Sequence, residues 1–409
     1  MEHSGPIHAV QAKAFRRSGA WKKYLADIAI LSVTSMGGPQ VHIGMFIDRL
    51  VRRGKYLNEA ELMELYGLCQ VLPGPTSTQT LTAISFKLGG TFVAYLALLI
   101  WISPAVLLML LAAFSISFFN TNHISLGFIR FMVPVAIGFM ARSAYKVNSI
   151  VIKGKQSLGI MLLAMLTGFF YPSPFVSPAL IILGGLFTGL GFSRKFAEHT
   201  GKKIKIRPIQ WINIGVFFGI LIGAAVIGKF TGSLPVRLFE NFYRNGSIIF
   251  GGGNVLIPLM YSEFVEFKHY LTEEEFLGGF ALVQVIPGPV FAFCSYIGAL
   301  SMRSTGLQGQ IIGGTMATIG IFLPGTLLVF FFIRLWNQLK HYKMVKASLL
   351  GINAAGAGLM ISATLLMLQP YNKQPIMMAI ALATILLLYF KKIPSWAIIL
   401  AGLAAGLIF

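Results

Sequence analysis

One stretch of sequence occurs twice in the chain, and this repeat restricts the fold more than any other feature. The first copy runs from Met36 to Pro75 and the second from Phe250 to Pro289, aligned without a gap at an offset of 214 residues. In both copies a Gly-Gly pair opens the stretch and Gln-x-x-Pro-Gly-Pro closes it. The repeat predicts two related structural units, each interrupted by two Gly- or Pro-rich turns.

The composition places both units in a membrane. Hydrophobic residues make up 56% of the 409 residues and charged residues 11%, whereas a soluble domain is about 45–50% apolar and about 25% charged. A net charge of +20 is also typical of nucleic-acid binding, but the basic residues here lie in short loops between apolar runs. Such loops indicate cytosolic segments that contact anionic lipid. We therefore expect an all-α polytopic membrane protein that contacts the bilayer and no nucleic acid.

The apolar segments that flank the first Gly-Gly pair are too short to cross a membrane. Residues 24–36 reach only about 20 Å at ~1.5 Å per residue, against a hydrocarbon core of about 30 Å. Basic residues precede this segment at Lys22 and Lys23 and follow residues 40–51 at Arg52 and Arg53. The positive-inside rule places both ends in the cytosol, which favours a re-entrant hairpin over a broken spanning helix. A second hairpin is expected around the Pro-Gly-Pro turn.

Two capping boxes mark the helices that lead to the Pro-Gly-Pro turns. Asn58 with Glu61 and Thr272 with Glu275 have the spacing that begins a helix. This spacing favours surface caps over a proton relay or cation site for the carboxylates at 59, 61 and 64.

The distribution of charge predicts two inverted repeats, each with two re-entrant helical hairpins and about four spanning helices. One extra span joins them and places the N-terminus in the cytosol and the C-terminus outside. The leading segment lacks the apolar core of a cleaved signal. The expected segments are a cytosolic N-terminal tail (1–23), a first membrane repeat (24–192), a basic cytosolic linker (193–208), an extra linking span (209–229) and a second, inverted membrane repeat (237–409).

Helices broken at membrane depth within a repeated unit are typical of a transporter substrate site. Their N-termini offer free N–H groups and a positive dipole end, which suit a tetrahedral oxyanion and need no metal or cofactor. The predicted substrate-binding residues are Gly37, Gly38, Pro39, Gln40, His42, Gln70, Pro73, Gly74, Pro75, Thr76, Ser77 and Gln79 in the first repeat, with Gly251, Gly252, Gly253, Asn254, Gln284, Pro287, Gly288 and Pro289 in the second.

The two halves of this predicted site differ in polarity. Val290 and Phe291 stand where the first repeat has Thr76 and Ser77, and Leu256 stands where it has His42. The sequence therefore predicts an asymmetric site with most polar contacts from the first repeat. His42 has two interpretations that stay open, a titrating proton carrier and a simple hydrogen-bond donor.

The paired Gly-Gly turns and Gln-x-x-Pro-Gly-Pro motifs resemble the chromate ion transporter family, in its long, two-repeat form. The resemblance covers nearly the whole chain. It implies a bacterial or archaeal inner-membrane protein that moves chromate, with sulfate as a further expected substrate. Because the sequence contains no nucleotide-binding motif, we expect any pumping to use an ion gradient or the membrane potential. Direction, coupling ion and exact anion stay open, as does a homodimer.

Other function classes fit the sequence less well. No H-E-x-x-H, G-x-S-x-G or Walker motif is present, so we do not expect an enzyme. A carrier of another anion or small solute on the same fold remains the alternative, whereas a cation carrier would need carboxylates inside the membrane, and the broken-helix symmetry argues against a lipid scramblase. Arg49 and Arg244 could neutralise a dianion, but snorkelling to the interface is favoured. Cys69 and Cys294 are expected to be buried, without disulfide or metal.

Overall fold

The computed structural model shows an all-α protein in which two repeats follow one another along the chain. The structure describes residues 15, 17–35, 39–121, 131–171, 173, 176–195, 208–249, 253–335, 343–390 and 395–408. The predicted site residues Gly37, Gly38, Gly251 and Gly252 lie outside these ranges, as do most of the N-terminal tail and of the basic linker.

The first repeat contains seven helices in the described residues, an eighth connects the repeats, and the second repeat contains eight more. In the first repeat they are α1 (Ala20–Thr34), α2 (Pro39–Phe46), α3 (Glu59–Val71), α4 (Thr76–Thr121), α5 (Met132–Val151), α6 (Lys155–Phe170) and α7 (Val176–Lys195). The connection is α8 (Pro208–Thr231). The second repeat has α9 (Leu234–Ile248), α10 (Gly253–Tyr261), α11 (Glu273–Val283), α12 (Phe293–Ser301), α13 (Gly306–Phe332), α14 (Lys343–Leu368), α15 (Pro375–Phe390) and α16 (Ser395–Ile408).

Unusual backbone conformations recur at matching places and confirm that the two units share one backbone plan. A π-helical turn follows α2 at Ile47–Arg53 and follows α10 at Ser262–Phe267. A residue in the left-handed region ends each of these segments, Lys55 with φ 53° and His269 with φ 51°. Further on, α4 is interrupted at Gly90 (φ 76°), and Gly306 (φ 72°) stands between α12 and α13.

Both predicted capping boxes are confirmed. The Asn58 side chain accepts from Glu61 N–H (2.8 Å), and Glu61 Oε2 accepts from Asn58 N–H (3.0 Å). Thr272 and Glu275 repeat the arrangement at the start of α11. The second oxygen of Glu61 binds Lys87, and the second oxygen of Glu275 binds Arg303. Each box thus begins a helix and also ties it to the far end of the helix after the Pro-Gly-Pro turn.

Helices of one repeat pack against helices of the other. In the second repeat α14 contacts α6 and α7 of the first, while α12 and α13 contact α4. Small residues allow the closest of these approaches, because a Cβ on Gly184 would lie 2.8 Å from Gly351 O. The glycines at this contact therefore serve close helix packing.

Four helices of the described residues are long and apolar enough to cross a membrane, by length and composition. They cover Thr76–Phe119, Ile212–Thr231, Arg303–Phe332 and Leu350–Tyr371. Four shorter apolar helices accompany them, at Lys155–Phe170, Val176–Gly191, Val290–Ser301 and Pro375–Tyr389. The chain is therefore a multi-pass membrane protein.

Candidate functional site

Each Pro-Gly-Pro turn crosses over to the opposite repeat. Gly74 N–H donates to Ile249 O (2.7 Å), and Gly288 N–H donates to Ser35 O (2.7 Å). Ser35 and Ile249 are equivalent positions, and they cap the C-termini of α1 and α9. We call these two hydrogen bonds the cross-ties. They satisfy helix-terminal carbonyls that would otherwise lack partners, and they bring both turns to both helix breaks.

Both turns require glycine. Gly74 has φ 119° and Gly288 has φ 112°, a region that side chains with a Cβ rarely adopt. A Cβ on Gly74 would lie 2.9 Å from Gln79 Nε2, and one on Gly288 would lie 2.9 Å from Ala105 Cβ. Conformation and space therefore both exclude a larger residue at each turn.

The cross-ties occupy two backbone N–H groups, which are therefore not free to bind an anion. Gly74 and Gly288 donate within the protein, and the flanking prolines have no N–H to offer. In α4, Gln79 is the first described residue whose N–H reaches a backbone acceptor, Pro75 O at 2.9 Å. The free donors therefore lie in the first turn of α4, at residues 76–78, and not in the Pro-Gly-Pro turn itself.

Polar side chains from α2 and α4 meet beside this first turn. His42 Nδ1 lies 3.1 Å from Ser77 Oγ, and the His42 ring packs edge-on against Trp101, with ring centroids 5.2 Å apart. Trp101 Nε1–H donates to Thr78 Oγ1 (3.1 Å). All four side chains are buried.

Three buried polar atoms in the same region have no hydrogen-bond partner among the described residues. They are Ser35 Oγ, His42 Nε2 and Gln79 Oε1. Gln79 Nε2 donates to Pro73 O (2.6 Å), which fixes the amide and leaves Oε1 unpaired. An unsatisfied buried polar group costs about 1–3 kcal/mol, so each of these atoms is a candidate for contact with a polar ligand. We call Ser35, His42, Ser77, Thr78 and Gln79 the tip cluster.

The described structure holds the predicted site residues in three different situations. His42, Thr76, Ser77 and Gln79 are buried at the tip cluster, together with the turns Pro73–Pro75 and Gly288–Pro289, while Pro287 is half-buried. Gln70 is exposed near the end of α3, and Gln284 is half-buried at the end of α11. Pro39, Gln40, Gly253 and Asn254 are the first residues of α2 and α10.

Sequence reasoning missed three members of this region, Ser35, Thr78 and Trp101. Ser35 could have been found from its place next to the first Gly-Gly pair, and Thr78 from its place in the first turn of α4. Trp101 lies in a long apolar run, and no local signal separates it from an ordinary core residue.

The second repeat contributes apolar groups where the first contributes polar ones. Leu256 and Phe291 are buried, and Val290 is half-buried, at the positions that match His42, Ser77 and Thr76. The predicted difference in polarity between the two halves is therefore present in the structure.

Both arginines near the helix breaks bind carboxylates. Arg49 Nε–H donates to Asp27 Oδ1 (2.7 Å), and Tyr56 OH donates to the other oxygen of Asp27 (2.7 Å). Arg244 binds Glu240 (3.0 Å) and Glu263 (2.9 Å). Neither guanidinium is left to neutralise an anion at the tip cluster.

Cys69 and Cys294 are buried free thiols, as expected from the sequence. Within the described ranges no group of three or more His, Cys, Asp or Glu side chains is arranged to hold a metal ion. The tip cluster can therefore offer hydroxyl, imidazole and backbone N–H donors to an anion in a water-poor setting, where such hydrogen bonds are strong.

Comparison with known proteins agrees with the two-repeat plan. The sequence profile of the family described as "Chromate transporter" matches residues 23–190 and 236–407. An uncharacterized transporter of Methanocaldococcus jannaschii is 24% identical, over 92% of this chain and 91% of its own. A probable chromate transport protein of Synechococcus elongatus is 26% identical over 93% of each chain, and the chromate transport protein of Pseudomonas aeruginosa is 24% identical over 95% of this chain and 93% of its own. No solved structure matches the chain. Because the profile covers both repeats, the chain belongs to the chromate transporter family.

Proposed function

We propose that the protein is a secondary transporter that carries chromate, and sulfate or a related oxyanion, across the inner membrane, driven by an ion gradient or the membrane potential. The observation that carries the proposal is the tip cluster, where Ser35 Oγ, His42 Nε2 and Gln79 Oε1 are buried without partners. Two relatives across the full length of the chain are named for chromate transport.

The donors around the tip cluster suit a tetrahedral oxyanion. The Ser35 hydroxyl and the His42 imidazole can donate to oxyanion oxygens, and the first N–H groups of α4 add the positive end of a helix dipole. Gln79 Oε1 is an acceptor, so it suits a water or a protonated oxygen of the anion. Each contact is weak compared with an ion pair, so the anion can also leave, as transport requires.

We propose an inverted arrangement of the two repeats, with re-entrant hairpins, a cytosolic N-terminus and an external C-terminus. The support is the charge at the base of each repeat. Arg52 and Lys55 of the first repeat stand where the second has Glu266 and His269, while both repeats have a Glu at the start of the next helix. Basic loops favour the cytosolic side. Cysteines introduced at Lys202 and Lys373 should label from opposite sides, and labelling of both from one side would contradict the arrangement.

A carrier of another anion or small solute on the same fold is the alternative. Purified protein in liposomes should take up radiolabelled chromate or sulfate, with the pH gradient and the membrane potential set independently. Uptake should fall strongly in the variant Thr76→Val/Ser77→Ala, which removes the Ser77 hydroxyl beside His42 and the neighbouring Thr76 hydroxyl. Liposomes without protein give the background. Failure of both oxyanions to enter, with the protein correctly inserted, would favour the alternative.

A further inference from the structure

A second polar site lies between the two repeats and shares no residue with the tip cluster. A pocket opens between the segment joining α6 to α7, the end of α10 with its π-helical turn, and α14. Its polar lining includes Ser173, Ser177, Tyr261, Ser262, Glu266 and Ser362. Ser177, Ser262 and Ser362 are only 8%, 7% and 3% exposed, so this part of the lining is buried away from bulk water.

Two atoms at this place are buried without a hydrogen-bond partner among the described residues. One is Ser262 Oγ, in the lining of the pocket, and the other is Glu273 Oε1, at the start of α11. A buried carboxylate oxygen without a donor is costly while it carries charge, and the cost disappears when it binds a proton.

The half-buried carboxylates Glu266 and Glu273 differ from the buried Glu263 and Glu275 in having no cation. Glu263 binds Arg244 and Lys268, and Glu275 binds Arg303. In contrast, no Lys, Arg or His of the described residues lies within salt-bridge distance of Glu266, Glu273 or Glu274. Negative charge at this place is therefore compensated by neither a side-chain cation nor full exposure to water.

Burial and like charge act in the same direction on these groups. Burial raises the pKa of Glu273 from its usual 4.5 to about 7, and the charges of Glu274 and Glu266 raise it further in the same sense. Burial also raises the pKa of Glu266. The other titratable groups on which these charges act are the Tyr261 and Tyr371 hydroxyls, which stay neutral in this pH range. A proton bound to Glu273 is therefore held below about pH 7 and released above it.

We propose that Glu273, with Glu266 and the serine-lined pocket beside it, binds the proton that is exchanged during oxyanion transport. The inference rests on the proposed transport function and names its coupling ion. Binding adds a proton to one carboxylate oxygen and breaks no other bond. Glu266 lies on the π-helical turn and Glu273 at the start of α11, and in the first repeat Arg52 stands at the position of Glu266.

The chain supplies a matched control at the equivalent position of the first repeat. Glu59 begins α3 as Glu273 begins α11, but Glu59 is exposed. Glu59→Gln and Glu273→Gln therefore remove the same charge from the same helical position, and only the second removes it from a half-buried side chain.

Infrared titration of the full-length protein in lipid tests proton binding without reference to transport. We expect a protonated-carboxyl band that disappears between about pH 6 and 8. It should be present in wild type and Glu59→Gln and absent in Glu273→Gln. The proposal fails if wild type lacks the band, or if the band persists unchanged in Glu273→Gln.

Proton movement in liposomes tests the coupling. A pH dye inside the vesicles should report proton flux when a chromate gradient is applied to wild type and to Glu59→Gln. In Glu273→Gln we expect that flux to fall about tenfold or more, while chromate exchange at equal concentrations persists. Unchanged proton flux in Glu273→Gln would overturn the proposal. Loss of oxyanion transport by wild type when an organic cation replaces sodium would also overturn it. If wild type moves no oxyanion, the transport function fails, and the infrared titration still decides the proton site.

Discussion

Each repeat has an ion pair between its first helix and its π-helical turn. In the first repeat the carboxylate, Asp27, lies on α1 and the guanidinium, Arg49, lies on the turn. In the second repeat the order is reversed, with Arg244 on α9 and Glu263 on the turn. Arg49 and Glu263 occupy equivalent positions. In both repeats an ion pair thus joins the π-helical turn to the first helix, but the two charges have exchanged places.

The reversal has a simple explanation if the repeats are inverted. A basic turn suits the cytosolic face, and an acidic turn suits the opposite face. The partner on the neighbouring helix then has to change sign as well, because an unpaired buried charge is costly. The ion pair is present in both repeats and belongs to the fold. His42 and the hydroxyls of α4 are present in the first repeat only.

The largest effect should come from the two turns that are alike in both repeats. Gly74→Leu and Gly288→Leu each force a side chain into a positive-φ position beside a close neighbour, at about 1–2 kcal/mol of backbone strain alone. Both should lower oxyanion uptake at least about tenfold while the protein still inserts. Gly191→Leu is the control, because a Cβ there meets nothing within 4 Å. Normal uptake in either turn variant would exclude a role for the cross-ties.

The next effect should separate the two repeats at the substrate site. Thr76→Val/Ser77→Ala removes the hydroxyl that meets His42 Nδ1 and should raise the apparent KM for oxyanion about tenfold, equivalent to about 1.4 kcal/mol. Val290→Ala, at the position equivalent to Thr76, should leave KM within about twofold. Initial rates of uptake over a range of chromate concentrations provide the measurement. Equal effects in both variants would contradict the asymmetry of the site.

The reversed ion pairs should differ in their contribution to stability. Glu263 is 2% exposed and binds two cations, whereas Asp27 is 14% exposed and binds one. Glu263→Gln should therefore destabilise the protein by about 3–5 kcal/mol, and Asp27→Asn by less. The melting temperatures of the two variants are compared by thermal unfolding in detergent, with size-exclusion chromatography as the readout. A lower melting temperature for Asp27→Asn than for Glu263→Gln would show that burial does not set the order.

The smallest effect should come from Gln70, which matches Gln284 in the repeat but is exposed. Gln70→Leu should leave KM within about twofold, since the amide lies away from the tip cluster. This outcome would replace the expectation from sequence that Gln70 holds the substrate. A tenfold rise in KM would restore that expectation.

The backbone plan could be predicted from the sequence better than the site could. Asn58 with Glu61 fixes a helix start through contacts three residues apart, so local spacing was sufficient. The glycines of both Pro-Gly-Pro turns were similarly evident, since few other residues tolerate such a turn. The cross-tie from Gly74 to Ile249 joins the two repeats, and no local pattern reports a contact over that distance. The exposure of Gln70 depends on the same long-range packing.

The cross-ties also have a consequence for how the protein is made. Residues of the first repeat leave the ribosome first, but the N–H of Gly74 has its acceptor in α9, and the carbonyl of Ser35 has its donor in the turn after α11. The first repeat therefore enters the bilayer with its helix break incomplete and reaches its final form only when the second repeat is inserted. Membrane insertion and final assembly are two separate events for this chain, and a ribosome-bound first repeat exposes unpaired backbone that the finished protein does not.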